Sequence, residues 1–272
     1  KGYVPLREQY DNSVSHALEY YIADFALSRF AEALGKKKDA EMFYKRSLGY
    51  KHYYSKEFGT FRPILPDGTF YSPFNPRQGE NFEPNPGFHE GSAWNYSFYV
   101  PHDVYGLAKL MGGKNPFIKK LQMVFDEGLY DPANEPDIAY AHLFSYFRGE
   151  EWRTQKETQR LLDKYFTTKP NGIPGNDDTG TMSAWAIFNM IGFYPDCPGL
   201  PEYTLTTPVF NKVTIRLDPK WYKEKELVIE SNRTQPGTLY INKVLLNGKK
   251  FNQYRITHDE LVHSQRILFD LK

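Results

Sequence analysis

The stretch Gly175–Pro195, GNDDTGTMSAWAIFNMIGFYP, is where the chain changes its hydrophobic period. Its second half predicts a helix over 180–191, closed by Gly192 and Pro195. Upstream of it, from residue 13, most of the chain carries helical spacing broken by Gly and Pro. Downstream, apolar residues alternate at period two: Val213, Ile215 and Leu217, then Leu227 and Ile229, Leu239 and Ile241, and last Ile267, Phe269 and Leu271. Asn247-Gly248, between Val244-Leu246 and Phe251, is a two-residue hairpin signal. The reading is an α+β chain, with helices in 1–195 and a small antiparallel β region in 196–272.

Working back from that switch, Ser13 is placed to cap a helix whose Ile22, Ala26, Phe30 and Ala33 recur at three and four residues and which ends at Gly35. A second helix is expected near 38–54. Further helical segments are expected near 103–111, 116–128, 137–148 and 151–166, the second with the apolar stripe Phe117, Leu121, Val124 and Phe125. Between them lies a loop, 59–91, with Pro63, Pro66, Pro73, Pro76, Pro84 and Pro86. Loops of that length in a compact domain are usually functional or disordered. Its aromatics Phe61, Phe70, Tyr71, Phe74, Phe82 and Phe88 favour an ordered loop.

Composition excludes more than it selects. The 272 residues carry a net charge of +1, so no bulk field gathers nucleic acid or a membrane surface. The lone Cys197 excludes an intrachain disulfide framework and a cysteine zinc site. No run approaches the ~18 apolar residues of a membrane span, and no signal peptide opens the chain. A first residue Lys1 rather than Met suggests processing, or excision from something longer. Aromatic residues reach 17%, which suits carbohydrate faces but equally suits core filling.

Three clusters carry candidate chemistry. Phe88-His89-Glu90-Gly91-Ser92-Ala93-Trp94-Asn95-Tyr96 runs on to Val100-Pro101-His102-Asp103. A Glu90 carboxyl beside Trp94 would lose hydration and gain the raised pKa of a general acid. It would serve equally as an acid in an N-terminal helical turn. Asp131-Pro132-Ala133-Asn134-Glu135-Pro136-Asp137 offers four oxygen-bearing side chains, either for a hard cation or as a helix start with Pro136 in its first turn. The Gly-bracketed pair Asp177-Asp178 is either an acidic site needing compensation, or an N-cap through Asp178 or Thr179. Carboxyl groups in separate loops suit an inverting glycosidase, whose pair stands about 6.5–9.5 Å apart to admit water.

The string Gly175–Trp185, followed by Gly192-Phe193-Tyr194-Pro195 and Pro198-Gly199, resembles the signature of glycoside hydrolase family 92, the calcium-dependent exo-acting α-mannosidases. Glu90–Tyr96, Val100–Asp103, Asn134-Glu135-Pro136, Glu151–Gln155 and Phe61-Arg62-Pro63 share the likeness, in order along essentially the whole chain. The resemblance implies an inverting mechanism with Glu90 as acid and Asp178 as base, Asp177 being the fallback. It implies Ca2+ held by Asn134 and Glu135 and gripping the O2 and O3 hydroxyls of mannose. Trp94, His102, Asp103 and Asn176 are the candidate substrate-binding residues.

By the same resemblance the substrate is a mannose-containing oligosaccharide or glycoprotein glycan, and the location bacterial, periplasmic or secreted. Asn176 departs from members with a second acid two residues before the base. Glu90 argues against the mannose-1-phosphate relatives, which tend to carry Gln there. Residues 129–133 lie where members differ by linkage. Family chains place a β-sandwich before an (α/α)6 toroid, so this chain is expected to be later toroid helices plus the closing β region. It would lack the N-terminal part of the same protein and be weak or inactive alone. The competing readings are a toroid glycosidase of other specificity and a non-catalytic glycan-binding remnant.

Overall fold

The first helix, α1 (Ser13–Ala33), buries one stripe made by Val14, Ala17, Leu18, Tyr21, Ile22, Phe25 and Ser28. That stripe is set differently from the spacing read in the sequence, because Phe30 is 63% exposed on the opposite face. The face that turns inward is the one laid against α2 (Lys37–Ser47) and the 3-10 helix Leu48–Tyr53. Ser13 is the first helical residue rather than the cap. Asn12 holds the cap position without a side-chain capping bond, and the Gly87 carbonyl accepts from the Val14 and Ser15 amides instead. A backbone carbonyl from far along the chain thus satisfies the orphan donors of the first turn. The computed structural model describes residues 1–8, 11–79, 85–235 and 237–272.

The described chain forms two compact units. The first comprises residues 1–140 with 197–200. After the 3-10 helix come a short antiparallel pair, β1 (Tyr54–Ser55) and β2 (Thr60–Phe61), then one-turn α3 (Ala93–Tyr96), α4 (Val104–Leu110) and α5 (Lys114–Asp126). The α5 stripe is as expected: Phe117, Leu121, Val124 and Phe125 are all buried. Removing a ring such as Phe117 from such a core costs about 3–5 kcal/mol.

The proline-rich loop is ordered around one cation. The Arg62 guanidinium lies 5.0–5.5 Å from the ring centres of Phe58, Phe70 and Phe74, donates to the Tyr71 carbonyl and pairs with Glu57. Gly87 closes the loop at φ +89, where a Cβ would stand 2.4 Å from Pro63; no other residue fits there. Phe82 and Pro84 lie outside the described residues.

The second unit comprises residues 141–196 and 201–272. It holds α6 (Glu151–Tyr165), α7 (Thr181–Ile191), a short α8 (His258–Val262) and two sheets. One sheet orders β3 (Phe193–Tyr194), β4 (Glu202–Leu205) and β9 (Arg255–Thr257), all antiparallel. The other runs β5 (Lys212–Arg216), β6 (Glu226–Arg233), β10 (Arg266–Leu271), β7 (Ile241–Leu246), β8 (Lys249–Phe251).

The β region is antiparallel as expected except at one pair, where β10 runs parallel to β6 while pairing antiparallel with β7. A parallel pair requires a crossover of a dozen or more residues, and the excursion through β7 to α8 supplies it. The helical reading of 137–148 is also corrected in type: it holds the 3-10 helices Glu135–Asp137 and Tyr140–Tyr146. Asn247 and Gly248 turn the β7–β8 hairpin at φ +49 and +80, as the type I′ signal predicts. Leu227, Ile229, Val244, Ile267 and Phe269 form the sheet core, with Phe188 and Ile191 of α7 against it. Inside this unit the buried Asp196 carboxylate accepts from Arg255 at 2.8 Å and from Thr204 at 2.7 Å.

Candidate active site

In the first unit the turn bearing Glu90 is held on all sides by backbone contacts. The His89 amide donates to Ser15 Oγ at 2.9 Å, the Tyr96 hydroxyl to the His89 carbonyl at 2.7 Å, and Asn85 Nδ2 to the Gly91 carbonyl at 3.2 Å. Ser92 then caps α3 in a box with Asn95, accepting from the Trp94 amide while its own amide donates to Asn95 Oδ1. Glu90 itself sits at φ +50. A long side chain in that region costs about 1–2 kcal/mol and persists where surroundings over-determine it.

The Glu90 side chain stands 57% exposed, with Oε1 at 3.5 Å from His89 Nε2. The expected desolvation by Trp94 is not how this turn is built. Trp94 points inward and is buried, with the Lys120 ammonium 5.1 Å from its ring. Burial lowers the Lys120 pKa to about 8, and that ammonium donates to the Gly59 carbonyl.

Asn134 and Glu135 come to the same turn. Asn134 is buried, and its Nδ2 donates to the Glu90 carbonyl at 2.7 Å. Its amide oxygen accepts no hydrogen bond among the described residues, and the half-buried Glu135 carboxylate has no ion pair there. Two neighbouring uncommitted hard oxygens are the donor type a calcium ion takes. Among the described residues no cluster of three or more His, Cys, Asp or Glu forms a cage, so the remaining ligands would be carbonyls, hydroxyls or water. The residues present fit the ion in kind.

One residue here has a part that neither sequence reading, cation ligand or helix start, foresaw. Asp137, wholly buried, accepts at Oδ2 from Asn95 Nδ2 at 3.1 Å and from the Asp131 amide at 2.7 Å. Burial pushes its carboxyl well above the ordinary carboxylate range. Only the short spacing to Asn134 and Glu135 signalled it.

His102 and Asp103 are committed elsewhere in the unit. The His102 ring lies 5.5 Å from Phe25 and 5.9 Å from Tyr50, with Nε2 at 3.0 Å from the Ser47 carbonyl. Burial lowers its pKa to about 4, so the ring is neutral and Nε2 is the donor. Asp103 caps α4 through the Gly106 amide at 3.0 Å, accepts from the Tyr50 hydroxyl at 2.7 Å and pairs with Lys51 at 3.3 Å.

In the second unit the two adjacent aspartates have different environments. Asp177 accepts from the Ser183 amide at 3.0 Å and hydroxyl at 2.5 Å, so it caps α7 from beyond the usual position. Those hydrogen bonds hold its carboxyl below the ordinary 3.8. The cap is therefore Asp177, not the expected Asp178 or Thr179. Asp178 is exposed and its carboxylate makes no hydrogen bond or ion pair among the described residues, while its carbonyl accepts from Thr181 at 2.5 Å. Thr179 follows at φ +52, a rare state for a β-branched residue. Asn176 is exposed beside them. Among the described residues, Glu90, Thr179 and the hairpin Asn247 are the non-glycine residues at positive φ. Two of the three stand at candidate catalytic loops, where strain of this kind concentrates.

The fold is that of one family of glycoside hydrolases. A model of the glycosyl hydrolase family 92 catalytic domain matches residues 1–272. An α-mannosidase of that family from Bacteroides thetaiotaomicron superposes with a TM-score of 0.90 at 32% identity, covering 100% of this chain and 36% of that one. An inverting mannosidase of the same family and organism superposes at 0.88 and 31% identity, covering 100% of this chain and 38% of that one. A protein of Arthroderma benhamiae described as a secreted glycosidase is 26% identical over 95% of this chain and 36% of its own length. The chain belongs to glycosyl hydrolase family 92. It spans little more than a third of the length of these relatives.

Proposed function

We propose that this chain carries the acid, base and calcium motifs of an exo-acting α-mannosidase that removes terminal mannose from a glycan with inversion. The observation that carries the reading is the Glu90 turn: a strained left-handed carboxylate whose backbone carbonyl is held by Asn134, next to a second uncommitted oxygen donor at Glu135.

In this reading Glu90 gives its proton to the glycosidic oxygen as the bond to the anomeric carbon breaks. Asp178 takes a proton from the water that attacks from the opposite face, and mannose leaves with inverted configuration. Asp178 suits the base because its carboxylate is uncommitted; Asp177, whose oxygens cap α7, is the poorer one. As the acid, Glu90 must carry its proton when the glycosidic oxygen departs. Calcium, when bound at Asn134 and Glu135, would supply a double positive charge for vicinal hydroxyls. Trp94 would act as a buried support of the turn rather than a stacking face. A secreted or periplasmic location is in keeping with the fungal relative's description, and among the described residues no helix is long and apolar enough to cross a membrane.

The test is hydrolysis of α-mannosides by the protein at its natural length. Expected are mannose release that EDTA stops and calcium restores, and β-mannose as the first anomer in the proton NMR spectrum. Activity untouched by EDTA overturns the calcium role, and α-mannose appearing first overturns inversion.

A further inference from the structure

Asp137 ties together two loops that the sequence keeps far apart. Its Oδ2 takes the Asp131 amide, which opens the loop carrying Asn134 and Glu135, and also Asn95 Nδ2, from a residue 42 positions away. Asn95 in turn accepts from the Ser92 amide and hydroxyl at 2.9 and 3.0 Å, immediately after the Glu90 turn. The second link between the same loops is Asn134 Nδ2 on the Glu90 carbonyl. Behind them the buried Tyr140 hydroxyl donates to the Asn95 carbonyl at 2.6 Å and accepts from the Phe98 amide at 3.0 Å, fixing α3 from below. Asp137 has no exposed surface, and its Oδ1 is buried without a hydrogen-bond partner among the described residues. A buried carboxyl used only to start a three-residue 3-10 helix would be a costly choice.

We propose that Asp137, acting through Asn95, is a positioning residue that sets the Glu90 turn and the Asn134-Glu135 pair in one fixed register, so that the acid and the cation donors move together. It rests on the functional reading above for its consequence, but the mechanical link is testable without it. Groups behind metal donors are worth about 10–100-fold in affinity or activity when removed.

Asp137→Asn keeps an amide oxygen at the Oδ2 position and can accept both hydrogen bonds; Asp137→Leu removes them at similar volume. Hydrogen exchange by mass spectrometry on the apo proteins reads the link. In Asp137→Leu, exchange rises together in 89–96 and 130–137, while Asp137→Asn stays like the parent. A rise confined to 130–137, or an Asp137→Asn as loose as Asp137→Leu, overturns the proposal. On α-mannoside, kcat and calcium affinity fall about 10–100-fold in Asp137→Leu and recover in Asp137→Asn. If Asp137→Leu does not fold, Asn95→Ala cuts the same link from its other end, and exchange confined to 89–96 then overturns it. A parent protein with no mannosidase activity overturns the functional reading alone, and the exchange comparison still decides the link.

Discussion

The Glu90 turn and the Asp177-Asp178 loop each present a carboxylate beside a left-handed, non-glycine residue, yet they are built in opposite ways. The Glu90 turn draws on two distant partners, Ser15 on the His89 amide and Asn134 on the Glu90 carbonyl, 74 and 44 positions away, beside the local bonds of Asn85 and Asn95. The aspartate loop is assembled from its own residues, with every bond spanning six positions or fewer. A long-range turn transmits a change to whatever else it touches. A local loop confines it. Under the proposed roles the acid would meet a fixed glycosidic oxygen and the base a mobile water, and the difference in construction would follow that difference in task.

The sharpest break of this contrast lies within the loop. Asp178→Asn should lower kcat by about 10²–10⁴-fold, the usual range for a lost general base, with the melting temperature unchanged. Asp177→Asn should do the reverse, lowering the melting temperature with a smaller loss in kcat. Kinetics and thermal unfolding of the two variants check this, and exchanged outcomes would move the base to Asp177.

On the other side, Trp94→Ala should cost about 3–5 kcal/mol in denaturant unfolding, because it empties a buried ring site beneath the Glu90 turn. No single substitution among Asn176, Asp178 and Thr179, all exposed, should approach that.

A pH scan gives a smaller effect of defined sign. The folded Asp177 carboxyl is lowered from 3.8, so the unfolded chain binds its proton first. Its stabilising contribution is full above about pH 4 and is lost as pH falls through the lower folded value. The acid-side melting curve of Asp177→Asn should lack that step. Smallest of all, Thr179→Gly should relieve a positive φ worth about 1 kcal/mol and leave the Glu90 turn untouched, shown by unchanged exchange in 89–96.

What the sequence made legible follows the same division. The α5 stripe and the Asn247-Gly248 hairpin depend on neighbours a few residues away, and both stand as read. The inward face of α1 was misread because Phe30 shares the spacing but lies opposite the face that meets α2. The α1 cap was misread because its acceptor is the carbonyl of Gly87. Of the site, the three clusters were visible as composition. Which aspartate is the cap was not, since the two are adjacent and only the bonds from Ser183 to Asp177 distinguish them. Asp137 read as a cation ligand or a helix-start residue, because its partner Asn95 lies 42 positions earlier. The parallel β6–β10 pair was hidden for the same reason: no local pattern distinguishes strand direction.

The central claim, that the Glu90 turn supplies the proton to the departing oxygen, is tested most directly by a leaving-group series. Aryl α-mannosides of graded phenol acidity, together with a mannose disaccharide, are hydrolysed by the parent protein and by Glu90→Gln. The account predicts a loss in kcat of about 10²–10⁴-fold on the disaccharide that shrinks steadily as the phenol becomes more acidic and needs less protonation. A loss of equal size across the whole series would contradict it.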